Sequence, residues 1–388
     1  MPPKRSILKE GLPFDYYAPD YKIDIRGQTL DDETKGDVLD VKVTMDKGNL
    51  TGFDLTINNW DDRQLDFKYS NTATFDVGNR IHIQMGYAGR PLLSMVHGVI
   101  TSLTPHFPES GPSTLGVSGQ DTLVKLRDRK PGPNDVKRFV KKTDWEIAEI
   151  VAARNHLKFK GPQGPIEKRD IITHDIVIQK DQDEAMFLKE RAARIDFECY
   201  IQIDPDTGEE TLFFMKPSDG RDGRSTRVYL FEWGKSLINF NPQLTIAEQV
   251  GTVTVRGWDP LSKRPITYTA GERDLPPRSN ASGMNGPQVA EERLNRKSDI
   301  VVDQPVISAE EAQDLAISLL RERAYAYITG SGQVIGLPDL RPGDNVELCK
   351  LGRRFEGVYH VLKVEHTLGS AGYLTKFDVR KLYDGGLE

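Results

Sequence analysis

Three constellations in the 388-residue chain hold residue types that could do chemistry, and their spacing argues against each. Asp204-Pro-Asp-Thr-Gly208-Glu-Glu210 resembles the opening of a calcium loop. Such a loop needs a further oxygen ligand before its glycine. Here the glycine arrives one position early, and Pro-Asp-Thr-Gly between two apolar strands reads as a hairpin turn. Cys349, His360 and His366 could in principle bind zinc. On a regular strand His360 and His366 share parity and face the same way, yet lie ~20 Å apart at ~3.3 Å per residue. One ion cannot span that distance. Ser331, in Gly330-Ser-Gly332, reads as part of a turn and lacks the Gly-x-Ser-x-Gly elbow of a serine nucleophile.

Other chemistries leave no trace. No pair among the 58 acids stands out as the two spaced carboxylates of a glycosidase. No Gly-x-x-x-x-Gly-Lys-[Ser/Thr] phosphate loop exists, and Gly86-Tyr-Ala-Gly89 reads as a hairpin turn. The basic segment Lys125 to Lys142 lacks the aromatic ladder of a single-strand binder, so it reads as a solvated linker or a subunit contact. The expectation is a chain with no catalytic residue, no cofactor site and no metal ligand.

Composition narrows the class. With 52 basic against 58 acidic residues the formal charge is −6, which argues against a general nucleic-acid binder. At 37% hydrophobic and 28% charged, the chain can build real cores. No apolar run approaches the ~18–20 residues of a membrane span. Met1 to Asp20 lacks the apolar core of a secretory signal, so synthesis and assembly in a cytoplasm are expected. Cys199 and Cys349 are too few for a disulfide framework.

The elements follow from periodicity. After an N-terminal extension, 1–20, the segments Tyr21–Ile25, Val41–Met45, Phe53–Ile57, Ile81–Met85, Leu92–Ser102 and Ser113–Gly119 alternate with period two. Half-buried strands do this, and so many in 21–127 make a small barrel or sandwich. The period changes at Thr143-Asp-Trp-Glu146, a capping box opening a helix with Ile147, Ile150 and Val151 on one face. Past the Gly/Pro loop Gly161–Pro165, a second helix spans Asp183 to Arg194, with Phe187, Leu188, Ala192 and Ile195 at helical spacing. Phe197–Ile201 and Thr211–Met215 then form a hairpin, so 128–240 reads as a compact α+β unit. β pattern resumes in a second barrel, 241–388, at Val250–Gly257 and Pro265–Thr269. That barrel carries a long loop, 270–307, and a helix, 308–325, opened by the capping box Ser308-Ala-Glu-Glu311. Behind this box Ala312, Leu315, Ala316, Leu319 and Leu320 make an amphipathic stripe. Strands at 327–335, 344–350, 355–366 and 372–382 close the chain. The fold class is β-rich α+β: two tube-type β-barrels flanking a small α+β domain. No internal repeat is visible by direct comparison.

Four stretches together resemble the phage late control D family, the baseplate hubs of contractile tails, whose fold recurs in the hub portion of VgrG-type spikes. They are Ala18–Gly27, Gln179–Arg194, Phe240-Asn-Pro242 with Val253–Asp259, and Gly336–Gly343 followed by Phe355–His366 and Tyr373–Phe377. In order, they cover nearly the whole chain. The resemblance implies a structural, non-enzymatic protein of the virion tail baseplate. It implies a homotrimeric ring whose two barrels per chain present six to the tail tube or tube initiator above, while a threefold central spike docks below. Other baseplate proteins would surround it, with cargo DNA or an effector passing transiently through the bore and no stable membrane association. Because the chain stops at Glu388, directly after the second barrel, the spike is expected from another polypeptide. Three copies would carry three times the charge, −18, which does not favour retention of a polyanion. A non-viral contractile injection system would use the same hub. A tail-associated cell-wall hydrolase would need an active site that no residue here nominates, and a glycan or receptor binder would need aromatics clustered at one barrel end.

Overall fold

The computed structural model describes residues 4–6, 18–46, 49–121, 126, 137–162, 173–180, 182–195, 197–203, 209–215, 228–259, 262–276, 283–295, 298–301, 306 and 308–386. The turn expected at Asp204–Gly208 and most of the basic segment before Lys137 lie outside these residues.

Alternating sequence builds the first sheet. Its elements run β1 (Lys4–Ser6), β2 (Pro19–Ile25), β3 (Gln28–Thr29), α1 (Asp32–Asp37), β4 (Val38–Asp46) and β5 (Gly52–Asn58). A small hairpin, β6 (Trp60–Asp61) and β7 (Asp66–Phe67), precedes β8 (Arg80–Tyr87), β9 (Leu93–His106) and β10 (Thr114–Asp121). The strands lie in the order β4-β5-β10-β9-β8-β2, every pair antiparallel. Ile23, Val41, Val43, Phe53, Leu55, Ile57, Ile83 and Val117 alternate onto one face and share one core, while their neighbours in sequence face outward.

The middle unit contains β11 (Lys137–Lys142), α2 (Asp144–Arg154), β12 (Lys158–Lys160), β13 (His174–Gln179), α3 (Glu184–Arg194), β14 (Glu198–Ile203) and β15 (Glu210–Met215). The capping box at Thr143 forms as the sequence requires, Thr143 accepting from the Glu146 amide while Glu146 accepts from the Thr143 amide. Ile147 and Val151 of α2 meet Phe187 and Leu188 of α3 over the antiparallel β14–β15 pair, closing a separate core.

The remaining elements are β16 (Val228–Glu232), β17 (Leu237–Leu244), β18 (Thr252–Asp259), β19 (Arg264–Ala270), α4 (Gly286–Leu294), β20 (Ser298–Val301), α5 (Ala309–Tyr325), β21 (Ile328–Ile335), β22 (Asn345–Cys349), β23 (Gly357–Gly369) and β24 (Gly372–Lys381). Six of them pair in the order β17-β21-β24-β23-β22-β16. Counted along the chain, this is the succession of the first sheet: second strand, third, sixth, fifth, fourth, first. One pairing differs, since β16 runs parallel to β22 whereas β2 runs antiparallel to β8. The chain therefore contains one six-stranded design twice. Amino-acid comparison misses the repeat because alternation constrains only polarity.

Two expectations about the second half are corrected. The second barrel is not a contiguous 241–388, because β16 and the first residues of β17 precede that boundary. Segment 245–327, which joins the second and third strands of the repeat, instead carries its own three-stranded sheet, β19-β18-β20, covered by α5. The long loop expected at 270–307 holds helix α4 and strand β20. Asn285 caps α4 by accepting from the Gln288 amide, Gln288 accepts from Asn285 in return, and Pro287 sits in the first turn. An Asn-Gly-Pro run that looks like loop chemistry thus serves as a helix start.

The capping box at Ser308 is only half made. Ser308 accepts from the Glu311 amide, but the Glu311 carboxylate turns away and accepts from His174 Nδ1 at 2.7 Å. The other nitrogen of His174 lies 3.1 Å from Asp144, which Arg191 also grips. A helix-start signal is thereby converted into a clasp between α5 and the middle unit. Glu311→Ala should cost about 1–3 kcal/mol in urea unfolding, because it strips one nitrogen of a buried imidazole of its partner. Glu146→Ala, at a box whose carboxylate is half-buried, should cost about 1 kcal/mol or less. Equal costs would show that the clasp does not form.

Candidate functional site: the joint between the two repeats

The two six-stranded sheets are one. The carboxyl half of β23 pairs antiparallel with β4, from Lys363 opposite Asp46 to Leu368 opposite Val41, and this fuses both repeats into a fourteen-stranded sheet. β23 is long enough to pair with β22 over its first half and β4 over its second. Hydrogen bonds in register along six residue pairs make a connection far stiffer than a linker.

The inner side of the joint is sealed by side chains from both repeats. Tyr87 of β8 donates to the Gly336 carbonyl at 2.7 Å and lies 5.7 Å from the Tyr373 ring of β24. Gly336 must be glycine, because a Cβ there would stand 2.1 Å from the Tyr373 ring. His366 is fully buried beside them. A carbonyl can only accept, so His366 Nε2 donates to Leu340 O at 3.2 Å, leaving Nδ1 to accept from the Tyr373 and Thr375 hydroxyls. Burial and the nearby Arg341 hold its pKa far below the ordinary value, so the ring is neutral. Arg341 reaches across to Ser94 O at 3.1 Å and to Met95 Sδ at 3.5 Å. Segment 336–344 is therefore a plug from the second repeat lodged against the first.

The outer side of the β4–β23 pairing is polar. Lys376, Glu365, Lys42, Asp54 and Ser118 stand on five consecutive strands, β24-β23-β4-β5-β10. Glu365 pairs with Lys42 at 3.1 Å and Lys376 at 3.4 Å, and Ser118 donates to Asp54 at 2.7 Å. Lys363 continues the pattern between Asp46 and Asp378. Half-exposed pairs of this kind add little stability. Their effect is on the surface itself, a hydrated face of mixed sign along the ladder, bordered on β24 and β21 by Leu374 and Ile335.

A family model described as the Alg8 N-terminal domain matches residues 17–370. The chain belongs to that family. A comparison with curated protein sequences finds no match. Among solved structures, the chain is similar to the 43 kDa tail protein of prophage MuSo2 from Shewanella oneidensis, with a TM-score of 0.66 and 15% identity over 93% of this chain and 98% of that one. It is also similar to a tail protein from Neisseria meningitidis, with a TM-score of 0.65 and 13% identity over 94% and 97% of the two chains. A component of the type VI secretion system of Escherichia coli gives 0.59 and 13% over 92% and 76%. At such identities the shared property is the fold: β-rich α+β, with two barrel-type domains flanking a small α+β unit.

In this member of the Alg8 N-terminal domain family, the residues weighed as metal ligands are dispersed. The register of β23 shifts between Val361 and Lys363, and the bulge inverts parity. Tyr359 and Val361 point into the core before it, Val364 and His366 after it, so His360 and His366 face opposite ways rather than the same way. His360 meets Asn345 at 3.1 Å instead. Among the described residues no group of three or more His, Cys, Asp or Glu could hold a metal. Ser331 does not sit in a turn. It lies within β21 opposite Asn241 and Asp378, its flanking glycines making room for the rings of Phe240 and Phe377. Cys199 is buried, which pushes its thiol up to about 12.

A feature that sequence reasoning missed is a cleft of about 620 Å³ between the first repeat and the middle unit. Its floor is a stacked pair, His82 and His97, with ring centroids 3.6 Å apart. Lys22 and Asp24 of β2, Arg80 of β8, and His156, Lys158, Glu209 and Glu210 of the middle unit face them. Burial, then the proximity of His82, pulls His97 down to about 4, and burial lowers His82 as well. The sign follows from the unfolded chain, where both imidazoles titrate near ~6.5. Above that pH both states are neutral and stability is full. As pH falls from there through about 4 the unfolded chain takes up protons first and stability is lost. Unfolding free energy measured by urea across this window should fall with acid, and His97→Gln should flatten the slope. An unchanged slope would remove the stacked pair from the acid response.

Proposed function

We propose that the chain is the structural hub of a contractile injection apparatus, and within that class the baseplate hub of a phage tail of the late control D type. The observation that carries this reading is the doubled strand order fused through β4 and β23 into one sheet. A chain that presents one design twice lets three copies offer six similar barrels, matching a sixfold tube above while remaining threefold toward a spike below. Closed rings of this kind need two different patches on each protomer. The charge ladder from Lys376 to Ser118 is the face assigned to the bore. Mixed sign keeps such a wall wet and non-adhesive toward a polyanion or an unfolded effector. The tail and secretion proteins that share the fold support a mechanical role without catalysis. A non-viral injection particle would use the same device with different cargo. No helix among the described residues is long and apolar enough to cross a membrane.

Light scattering on the purified chain should give three times 43.6 kDa. A monomer that stays monomeric with the spike partner present would sink the ring. The bore assignment is read separately, in a Cys349→Ser background carrying Thr56→Cys on the polar face. A small maleimide should label the trimer fully, while a bulky polyethylene-glycol maleimide should label it only after unfolding. Equal labelling by both reagents would move that face to the outside.

A further inference from the structure

The two repeats also differ in the link between their third and fourth strands. In the second repeat, 336–344 is short and lodged in the joint, where Arg341 anchors it. In the first, the link 59–79 projects the hairpin β6–β7, and its tip residue Leu65 is 72% exposed with φ +53°. Behind it Trp60, Phe67 and Phe107 pack edge to face, with centroids 5.7 and 5.2 Å apart, and Phe107 is 61% exposed. This apolar ridge stands at the barrel end where β9 finishes and β10 begins.

The ridge is held rigid from beneath. Asn59 is fully buried and accepts from the amides of Tyr69 and Ser70 at 3.0 and 3.1 Å. Asp37 accepts from Lys68, Tyr69 and Asn58. The Asp61 carboxylate accepts from the Arg63 and Gln64 amides and fixes the turn that displays Leu65. Holding large apolar groups in water on a pre-ordered support is the arrangement of a binding anchor, since little ordering entropy remains to be lost on contact.

We infer that this ridge docks a separate protein subunit, one per copy of this chain, whose face offers an apolar socket edged by lysine or arginine. Charge fixes the rim: Asp61, Asp62 and Asp66 flank the ridge and Glu109 follows Phe107, against Arg63, while Lys68 is tied to Asp37. Stoichiometry fixes the kind of partner. The ridge has no counterpart in the second repeat, whose matching link is buried in the joint. A sixfold tube would need six equal anchors, so the occupant meets the proposed ring in threefold fashion. A glycan is disfavoured because the rings pack edge to face instead of forming a flat platform, and the tip is aliphatic.

The inference rests on the hub reading, and one experiment separates them. Full-length chain with p-benzoyl-phenylalanine replacing Leu65 is produced together with the other proteins of its own particle, and assembled particles are irradiated. The expected product is a one-to-one adduct with a single non-tube protein, mapped by mass spectrometry to a peptide beside Lys or Arg. Its yield should drop at least tenfold when Phe107→Asp is added, while the purified chain keeps its mass. An adduct with the tube subunit, an adduct with a second copy of this chain, or no adduct would overturn the assignment. Saturable quenching of Trp60 fluorescence by soluble peptidoglycan fragments, lost in Trp60→Phe, would give the ridge to a glycan instead. A one-to-one adduct from a chain that never forms a trimer would sink the ring and leave the ridge. A trimer without the adduct would do the reverse.

Discussion

Everything else in the structure depends on the pairing of β4 with β23. Each six-stranded repeat has its own core, and two such cores on a flexible tether would adopt many relative orientations. Pairing in register removes that freedom, because slipping by one residue would turn every side chain on the strand to the wrong face. Val43, Met45 and Val364 would then meet water, and Lys42 and Glu365 would be buried. The joint is thus specified by the same alternation that specifies the strands. Its inner plug of Gly336, Arg341 and His366 adds a second, side-chain specification of the same geometry.

Much of this was legible in the residues, and the misses have physical causes. Period-two alternation located the strands from Ile23 to Val117 and from Val346 to Val379, because each has one wet face. The helices at Thr143 and Ser308 announced themselves through their caps. What alternation cannot show is which strand neighbours which, so the repeat was visible only in the pairing order. The bulge after Val361 was equally hidden: Val361-Leu-Lys-Val364 contains no glycine to mark it, and only the inward positions of Val364 and His366 expose the change of parity.

The candidate site shows the same division. Charged residues on strands β4, β5, β23 and β24 read singly as ordinary solvent-facing positions, and nothing in their spacing places Lys376 and Asp54 on one face more than three hundred residues apart in sequence. The half-made box at Ser308 teaches the converse lesson. Glu311 satisfies a local rule on paper, yet a buried imidazole carried by β13 offers it a stronger partner than an exposed amide does. Where local and tertiary partners compete for one carboxylate, the more deeply buried donor decides.

Duplication alone would make a chain with two equivalent halves, each presenting the same surface. The departures from equivalence are what supply the difference. β16 runs parallel to its neighbour where β2 runs antiparallel, so the first strands of the two repeats enter their sheets from opposite ends. The turn between second and third strands is a few residues in one repeat, and in the other a folded unit with its own core. The link between third and fourth strands is a displayed hairpin in one and a buried plug in the other. Four of the five strand pairings in each core keep the same sense, since every change falls in a connection or at the terminal strand. The shared pairings therefore set what is common to both halves, and the connections set what each half presents to its surroundings. A repeat can lose nearly all sequence likeness under that arrangement while its geometry stays fixed, because hydrogen-bond register and side-chain polarity are the only quantities the common part must keep.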